Sequence, residues 1–149
     1  MATTVDFYVL ETQSGQQSLR FACSLIEKAY QQKQSVYVHT VSRAEAERMD
    51  KLLWTYREDS FLPHCLYLGN QPENEQPVPI QIGFDTAPPN QRLLLNLTQQ
   101  VPVFYHQFQH IMEIVFADPA IQQLARERFR YYRDQGCEMN TYKIKANEA

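Results

Sequence analysis

The chain has 149 residues, of which 44% are hydrophobic and 21% charged, a length and mixture that predict one packed domain spanning residues 1–149. Its formal net charge of −3 and pI near 5.8 argue against a protein that coats nucleic acid through its overall charge, so any acidic ligand has to meet a local patch. The three cysteines, Cys23, Cys65 and Cys137, are far apart and lack CxxC spacing, the N-terminus shows no signal-like run, and nothing approaches the roughly 18 apolar residues of a membrane span. Free thiols, a cytoplasmic protein and no membrane contact are expected.

In chain order, residues 5–10 are rich in β-branched and aromatic types and predict a strand buried on both faces. After the break at residues 12–15, Leu19, Ala22, Cys23, Ile26, Ala29 and Tyr30 recur at the helical period. Residues 36–41 predict a second strand. Ser42 and Glu45 have capping-box spacing, so a helix is expected from Ser42 to about Tyr56, with Ala46, Met49, Leu52 and Leu53 inward. This β-α-β-α opening predicts an α/β fold with a mostly parallel, Rossmann-like sheet flanked by helices. Residues 61–68 are interrupted by Pro63 and read as a turn or short edge segment. Residues 69–77 are a polar loop. Residues 78–84 alternate as a third strand, 88–90 form a turn, and 92–98 form a fourth strand. Phe104, Phe108, Ile111, Met112 and Val115 read as another helical stripe, with His106 and His110 four apart on its polar side. Asp118-Pro119 predicts an N-cap and first helical residue, and Gly136 the stop of that last helix. A short strand over 139–144 and a frayed end complete the chain.

The chain has only four glycines. No GxGxxG follows the first strand and no GxxxxGK[ST] occurs, so the Rossmann-like outline lacks the nucleotide-binding glycine motif, and no cofactor is expected. His106 and His110 could share a metal on one helix face, but no HExxH accompanies them, and two polar surface positions explain them as well. Cys23 reads as core. No GxSxG elbow is present.

The segment from Gln122 to Arg133 is the most informative, with four arginines and three aromatics on one helix. Ile121, Leu124, Ala125, Arg128 and Tyr132 define one face, on which Leu124 and Ala125 should anchor the helix. A neighbouring stripe of Gln122, Arg126, Phe129, Arg130 and Arg133 sets an aromatic ring among guanidinium groups, a surface able to hold an apolar side chain beside a carboxylate. A solvated helix with intrahelical ion pairs involving Glu127 and Asp134 accounts for the same composition. Trp54, with Tyr56, Phe61 and Pro63, forms either a partner-binding aromatic ridge or a cap on the core.

The strand Phe7-Tyr8-Val9-Leu10, Leu53-Trp54 followed by Ser60-Phe61-Leu62-Pro63-His64, the run from Gln123 through Leu-Ala-Arg126-Glu-Arg128-Phe129-Arg130 to Arg133, and the ending Gly136-Cys-Glu-Met-Asn140-Thr141 together resemble the chi subunit family of bacterial DNA polymerase III. The resemblance implies a non-catalytic Rossmann-like domain that bridges two proteins. One is the psi subunit of the clamp loader. The other is the acidic C-terminal tail of single-stranded DNA-binding protein (SSB), which ends in Asp-Ile-Pro-Phe. Contact with DNA is then indirect. Carried over by position, the tail site falls on Arg126 and Phe129, with Arg130 or Arg133 replacing a cation that Gln122 lacks, and with Val115 and Phe116 in the apolar pocket. The psi site falls on Trp54, Phe61 and Pro63, a surface for which a helicase can also compete. A direct single-stranded nucleic-acid binder using the same arginines is the rival expectation.

Overall fold

A computed structural model describes residues 3–56, 61–67, 69, 78–88 and 91–145. Among the described residues, seven parallel strands form one sheet in the order β3-β4-β2-β5-β6-β1-β7. They are β1 (Thr4–Leu10), β2 (Val36–His39), β3 (His64–Leu66), β4 (Ile80–Gly83), β5 (Leu93–Asn96), β6 (His110–Val115) and β7 (Glu138–Ile144). Three helices connect them, α1 (Gly15–Gln31), α2 (Arg43–Thr55) and α3 (Pro119–Asp134).

Each helix starts where its sequence offers an acceptor for the free amides of the first turn. Ser14 Oγ accepts from Gln17 N, and Ser42 Oγ accepts from Glu45 N at 3.2 Å. Asp118 Oδ1 accepts from Ala120 N and Ile121 N, with Pro119 at the first helical position. At the far end of α3, Gly136 takes φ +88°, the Gly136 amide donates to the Arg133 carbonyl, and the Cys137 amide donates to the Tyr132 carbonyl. This is a Schellman closure, and it requires the left-handed conformation that glycine adopts at little cost.

Because strand side chains alternate, the sheet builds two cores. Leu10, Val36, Val38, Ile80, Ile82, Leu95, Met112 and Ile114 pack under α1 and α2. Val5, Phe7, Tyr37, Leu94, Ile111 and Val115 face the other way, towards Ala125 and Tyr132 of α3 and towards Phe104 and Phe108. β1 leads through α1 to β2, whereas β6 leads through α3 to β7 in the opposite direction along the sheet.

The helical stripe expected over 104–115 is a strand instead. Phe104 and Phe108 flank a single 3-10 turn, Tyr105–Gln107, and β6 begins at His110. A helix would set Ile111 and Met112 on one side, but they point to opposite faces of the sheet. The continuous apolar run of a strand buried on both faces imitated a helical period. His106 and His110 therefore share no helix face; His110 Nε2 instead pairs with the buried Asp6 carboxylate. The segment around Pro63 does contain a short edge strand, β3, while the loop expected over 69–77 and the turn at 88–90 lie largely outside the described residues. In β4 all four residues are buried, so the expected alternation is absent.

A carboxylate on β6 holds α3 in place. Glu113, fully buried on β6, accepts from Arg128 Nε at 3.1 Å, Tyr132 OH at 2.7 Å and Asn96 Nδ2 at 2.9 Å. Burial pushes the Glu113 carboxyl above the usual range, against the pull of Arg128, Asn96 and Tyr132. Leu124, expected as an anchor, is instead 37% exposed; Ala125, Arg128 and Tyr132 are the residues of α3 that are buried. For Arg128→Met we expect a loss of about 3–5 kcal/mol in unfolding free energy at pH 7.5, because the buried carboxylate loses its charge partner. Arg128 pulls the Glu113 carboxyl down, so its loss raises the folded value further; the cost is smallest where Glu113 is protonated with or without Arg128 and grows as pH rises past the wild-type folded value. The deficit should therefore narrow when urea unfolding is repeated near pH 5.5.

Candidate functional site

Fixing α3 through Arg128 and Tyr132 leaves its two flanks open. On the flank toward β7, a hollow of about 220 Å³ is lined by Phe7 and Val9 of β1, Val115 of β6, Ala125 and Phe129 of α3, and Thr141 of β7, with Gln122 and Arg126 at its lip. Phe129 lies 5.4 Å from Phe7, ring to ring, in a tilted packing. Arg126 is exposed, and its only bonded neighbour among the described residues is Gln123 Oε1 at 3.4 Å. No ion pair involves Arg126 or Arg130 among the described residues; Arg133 meets Asp134 at 3.4 Å. An apolar hollow with an uncompensated guanidinium beside it can take an aromatic or aliphatic side chain that is close to a carboxylate.

The structure thus brings together Gln122, Arg126, Phe129 and Val115 of the expected set. Phe116 is not in the hollow; its ring sits against Gly15, 3.7 Å from where a Cβ there would stand. Arg130 and Arg133 are exposed beyond the lining, Arg133 one turn past Phe129 on the same flank. Sequence reasoning missed Phe7, Val9 and Thr141 as walls. The β-rich character of the first and last strands was visible, but not that the two pair in parallel at this edge.

Trp54 lies at the end of α2, on the opposite face of the sheet and near the opposite edge, β3. It is 53% exposed and Phe61 is 67% exposed, with ring centroids 5.5 Å apart. Trp54 therefore does not cap the core. His64, buried, lies 4.6 Å beneath the Trp54 ring and is held by Leu62 O at Nδ1 and by Asp50 at Nε2. Pro63 is half-buried between these rings in sequence. His64 supports the ridge, a role that nothing in the sequence pattern marks.

Open α/β sheets take ligands outside the carboxyl ends of strands where the winding reverses. At that point, between β6 and β1, the two following loops are tied together by Ala117 N donating to Thr12 O at 2.7 Å. Burial pushes the Cys23 thiol up to about 12 and His39 down to about 4. The three cysteines are free. Among the described residues no group of three or more His, Cys, Asp or Glu could hold a metal, and no helix is long and apolar enough to cross a membrane.

Residues 2–140 match the family model described as DNA polymerase III chi subunit, HolC. The chain is 38% identical over 143 residues to the DNA polymerase III subunit chi of Pseudomonas aeruginosa, covering 95% of this chain and 97% of that protein. It is 32% identical to the chi subunit of Haemophilus influenzae over 97% and 99% of the two chains, and 27% identical to that of Escherichia coli over 91% and 94%. In fold it is similar to T4 UvsW (TM-score 0.68, 8% identity, 97% of this chain and 42% of that one). It is also similar to domain 2 of the DEAD-box helicase Mss116p (TM-score 0.61, 12% identity, 93% and 64%). The chain spans less than two thirds of either structure, and at such identity the likeness concerns fold alone. With residues 2–140 matched by the family model and curated relatives at 38% and 32% identity covering 95% and 97% of it, the chain belongs to the DNA polymerase III chi subunit family.

Proposed function

We propose that this chain is a non-catalytic adaptor of the DNA polymerase III holoenzyme that links the clamp loader, through psi, to the acidic C-terminal tail of SSB during DNA replication. The observation that carries this reading is the hollow beside α3, where apolar walls from Phe7, Val9, Val115 and Phe129 adjoin the Arg126 guanidinium, which makes no ion pair among the described residues. The terminal Phe of the tail fills such a hollow, and its α-carboxylate meets the guanidinium in a charge-assisted contact. Asp residues upstream in the tail meet the field of Arg126, Arg130 and Arg133, which salt screens over about 10 Å at 0.1 M. Gln122 at the lip of the hollow carries no charge, so Arg133, on the same flank, is the cation placed to assist Arg126.

The Trp54–Phe61 ridge, with Pro63, is the surface for psi, with a helicase as a competitor. Large exposed aromatics supported from below are the residues that carry binding energy at protein interfaces. The two surfaces lie on opposite faces and near opposite edges of a seven-stranded sheet, about 30 Å apart at ordinary strand spacing. Two partners can therefore be held at once without contact between them.

A tail of a few residues buries little area, so its affinity should be on the order of micromolar, about −8 kcal/mol. Fluorescence anisotropy of a labelled tail peptide should show saturable binding that requires the final Phe and weakens with salt. Arg126→Ala should weaken it about tenfold or more, the loss of one charge-assisted contact, with the fold intact by circular dichroism. Unchanged affinity in that variant rejects the site. Tight binding of a single-stranded oligonucleotide in place of the peptide would instead assign the arginines to nucleic acid.

For the other surface, Trp54→Ala or Phe61→Ala should cost about 2 kcal/mol or more in psi binding, as for an exposed aromatic anchor. Tail affinity should not change. Loss of both partners in either variant, measured side by side, would point to misfolding and remove the assignment.

A further inference from the structure

The flank of α3 turned away from the arginine hollow has its own character. At 100° per residue, Gln122, Arg126, Phe129 and Arg133 fall on one side of the buried line through Ala125, Arg128 and Tyr132, whereas Leu124, Glu127 and Tyr131 fall on the other. That second side faces the segment Gln99–Val103 across a groove of about 500 Å³. Val101, Pro102 and Val103 form one wall; Leu124, Glu127 and Tyr131 form the other.

Three features set this groove apart from an ordinary helix flank. Its apolar rim stands in solvent, with Val103 88% exposed, Tyr131 45% and Leu124 37%. The rim continues past the Val103 ridge to Val41, which lines a second hollow of about 480 Å³ at the carboxyl ends of β2 and β5. A single exposed valine means little, but a contiguous exposed apolar patch marks a site of contact. Second, the charges here that make no ion pair among the described residues are acidic. Glu127 lines the first hollow and Asp85 the second. The only lining cation among the described residues, Arg128, is already neutralised by Glu113. Third, Arg128 Nε and Nη1 are bonded to Glu113 and Gln99, while its Nη2 is buried without an acceptor among the described residues. The Arg128 guanidinium is thus committed to the fold and offers an occupant of the groove no free cation.

We propose that this acidic flank of α3, bounded by Val101–Val103 and by Leu124, Glu127 and Tyr131, is a second docking surface, for a peptide segment of a protein partner that carries lysine or arginine beside apolar side chains. The two flanks of one helix then sort partners by charge, acidic segments to Arg126 and basic segments to Glu127. An acidic segment in the second groove would meet uncompensated Glu127, and like-charge juxtaposition suppresses the wrong partner. The proposal does not rest on the assignment of the tail site.

The test is an array of overlapping 15-residue peptides covering the other subunits of the holoenzyme, probed with the full chain, with each positive re-measured by anisotropy in solution. The expected result is binding confined to peptides that combine at least two basic residues with apolar ones. Both Val103→Lys and Glu127→Lys should weaken it tenfold or more. Both sites are exposed, so the fold should survive. Arg126→Ala should leave these peptides within about twofold, and Val103→Lys should leave the acidic tail peptide within about twofold, so the two sites succeed or fail separately. Binding of acidic peptides only, indifference to both lysine variants, or no bound peptide at all would overturn the proposal. So would self-association of the chain, seen by sedimentation and abolished by Val103→Lys, since a second copy would then be the occupant.

Discussion

Both surfaces on the flanks of α3 depend on the angle at which that helix sits on the sheet, and one buried ion pair sets that angle. Glu113 projects from β6 with no solvent contact and takes donors from Arg128 and Tyr132 on α3 and from Asn96 on β5. A buried charge stripped of its partner is expensive, whereas the pair itself adds little net stability over an apolar replacement. What the pair supplies is register. Successive residues are 100° apart on a helix, so a one-residue slip of α3 would carry Arg126 off the lip of the hollow and put Glu127 near it. An apolar contact tolerates such a slip far better than a three-donor carboxylate does.

The same constraint explains why a chain with net charge −3 can offer an acidic ligand a binding site. Only the distribution of charge on α3 matters at the range of a contact. Arg128 is consumed inside the fold and Arg133 is partly engaged by Asp134, while Arg126 and Arg130 remain free of ion pairs among the described residues. Most of the acids are elsewhere. The overall negative charge keeps the surface from holding polyanions indiscriminately, and the local cluster restores attraction where an apolar hollow can add specificity.

Much of the frame was legible in the sequence. The three helix starts follow from Ser14, Ser42 and Asp118-Pro119, and the end of α3 from Gly136, because capping is a local effect that four or five residues decide. The parallel sheet followed from the alternation of strand and helix. Residues 104–115 failed because a strand covered on both faces shows no alternation, and its apolar residues fell by chance at helical intervals. That error hid the Glu113–Arg128 pair, since a carboxylate on a helix over 104–115 had no reason to meet an arginine 15 residues away. It also hid the exposure of Leu124, which only the inward turn of Arg128 explains. The arginine hollow was half legible: Arg126 and Phe129 stand out in the helix, but Phe7, Val9 and Thr141 reach it only because the first and last strands pair side by side.

The sheet itself separates the two surfaces that the adaptor reading needs. α1 and α2 cover one face and α3 covers the other because the connections leaving β1 and β6 run in opposite directions along the sheet. Trp54 is thereby placed near the β3 edge and Arg126 near the β7 edge, with the full width of a close-packed sheet between them. Such a body deforms little when either side is occupied, so binding at one surface has no built-in reason to alter affinity at the other. A coupling between the two partners would then come from tethering: a tail held at α3 raises the local concentration of everything attached to it, by an amount that linker length sets and not by a change in this fold.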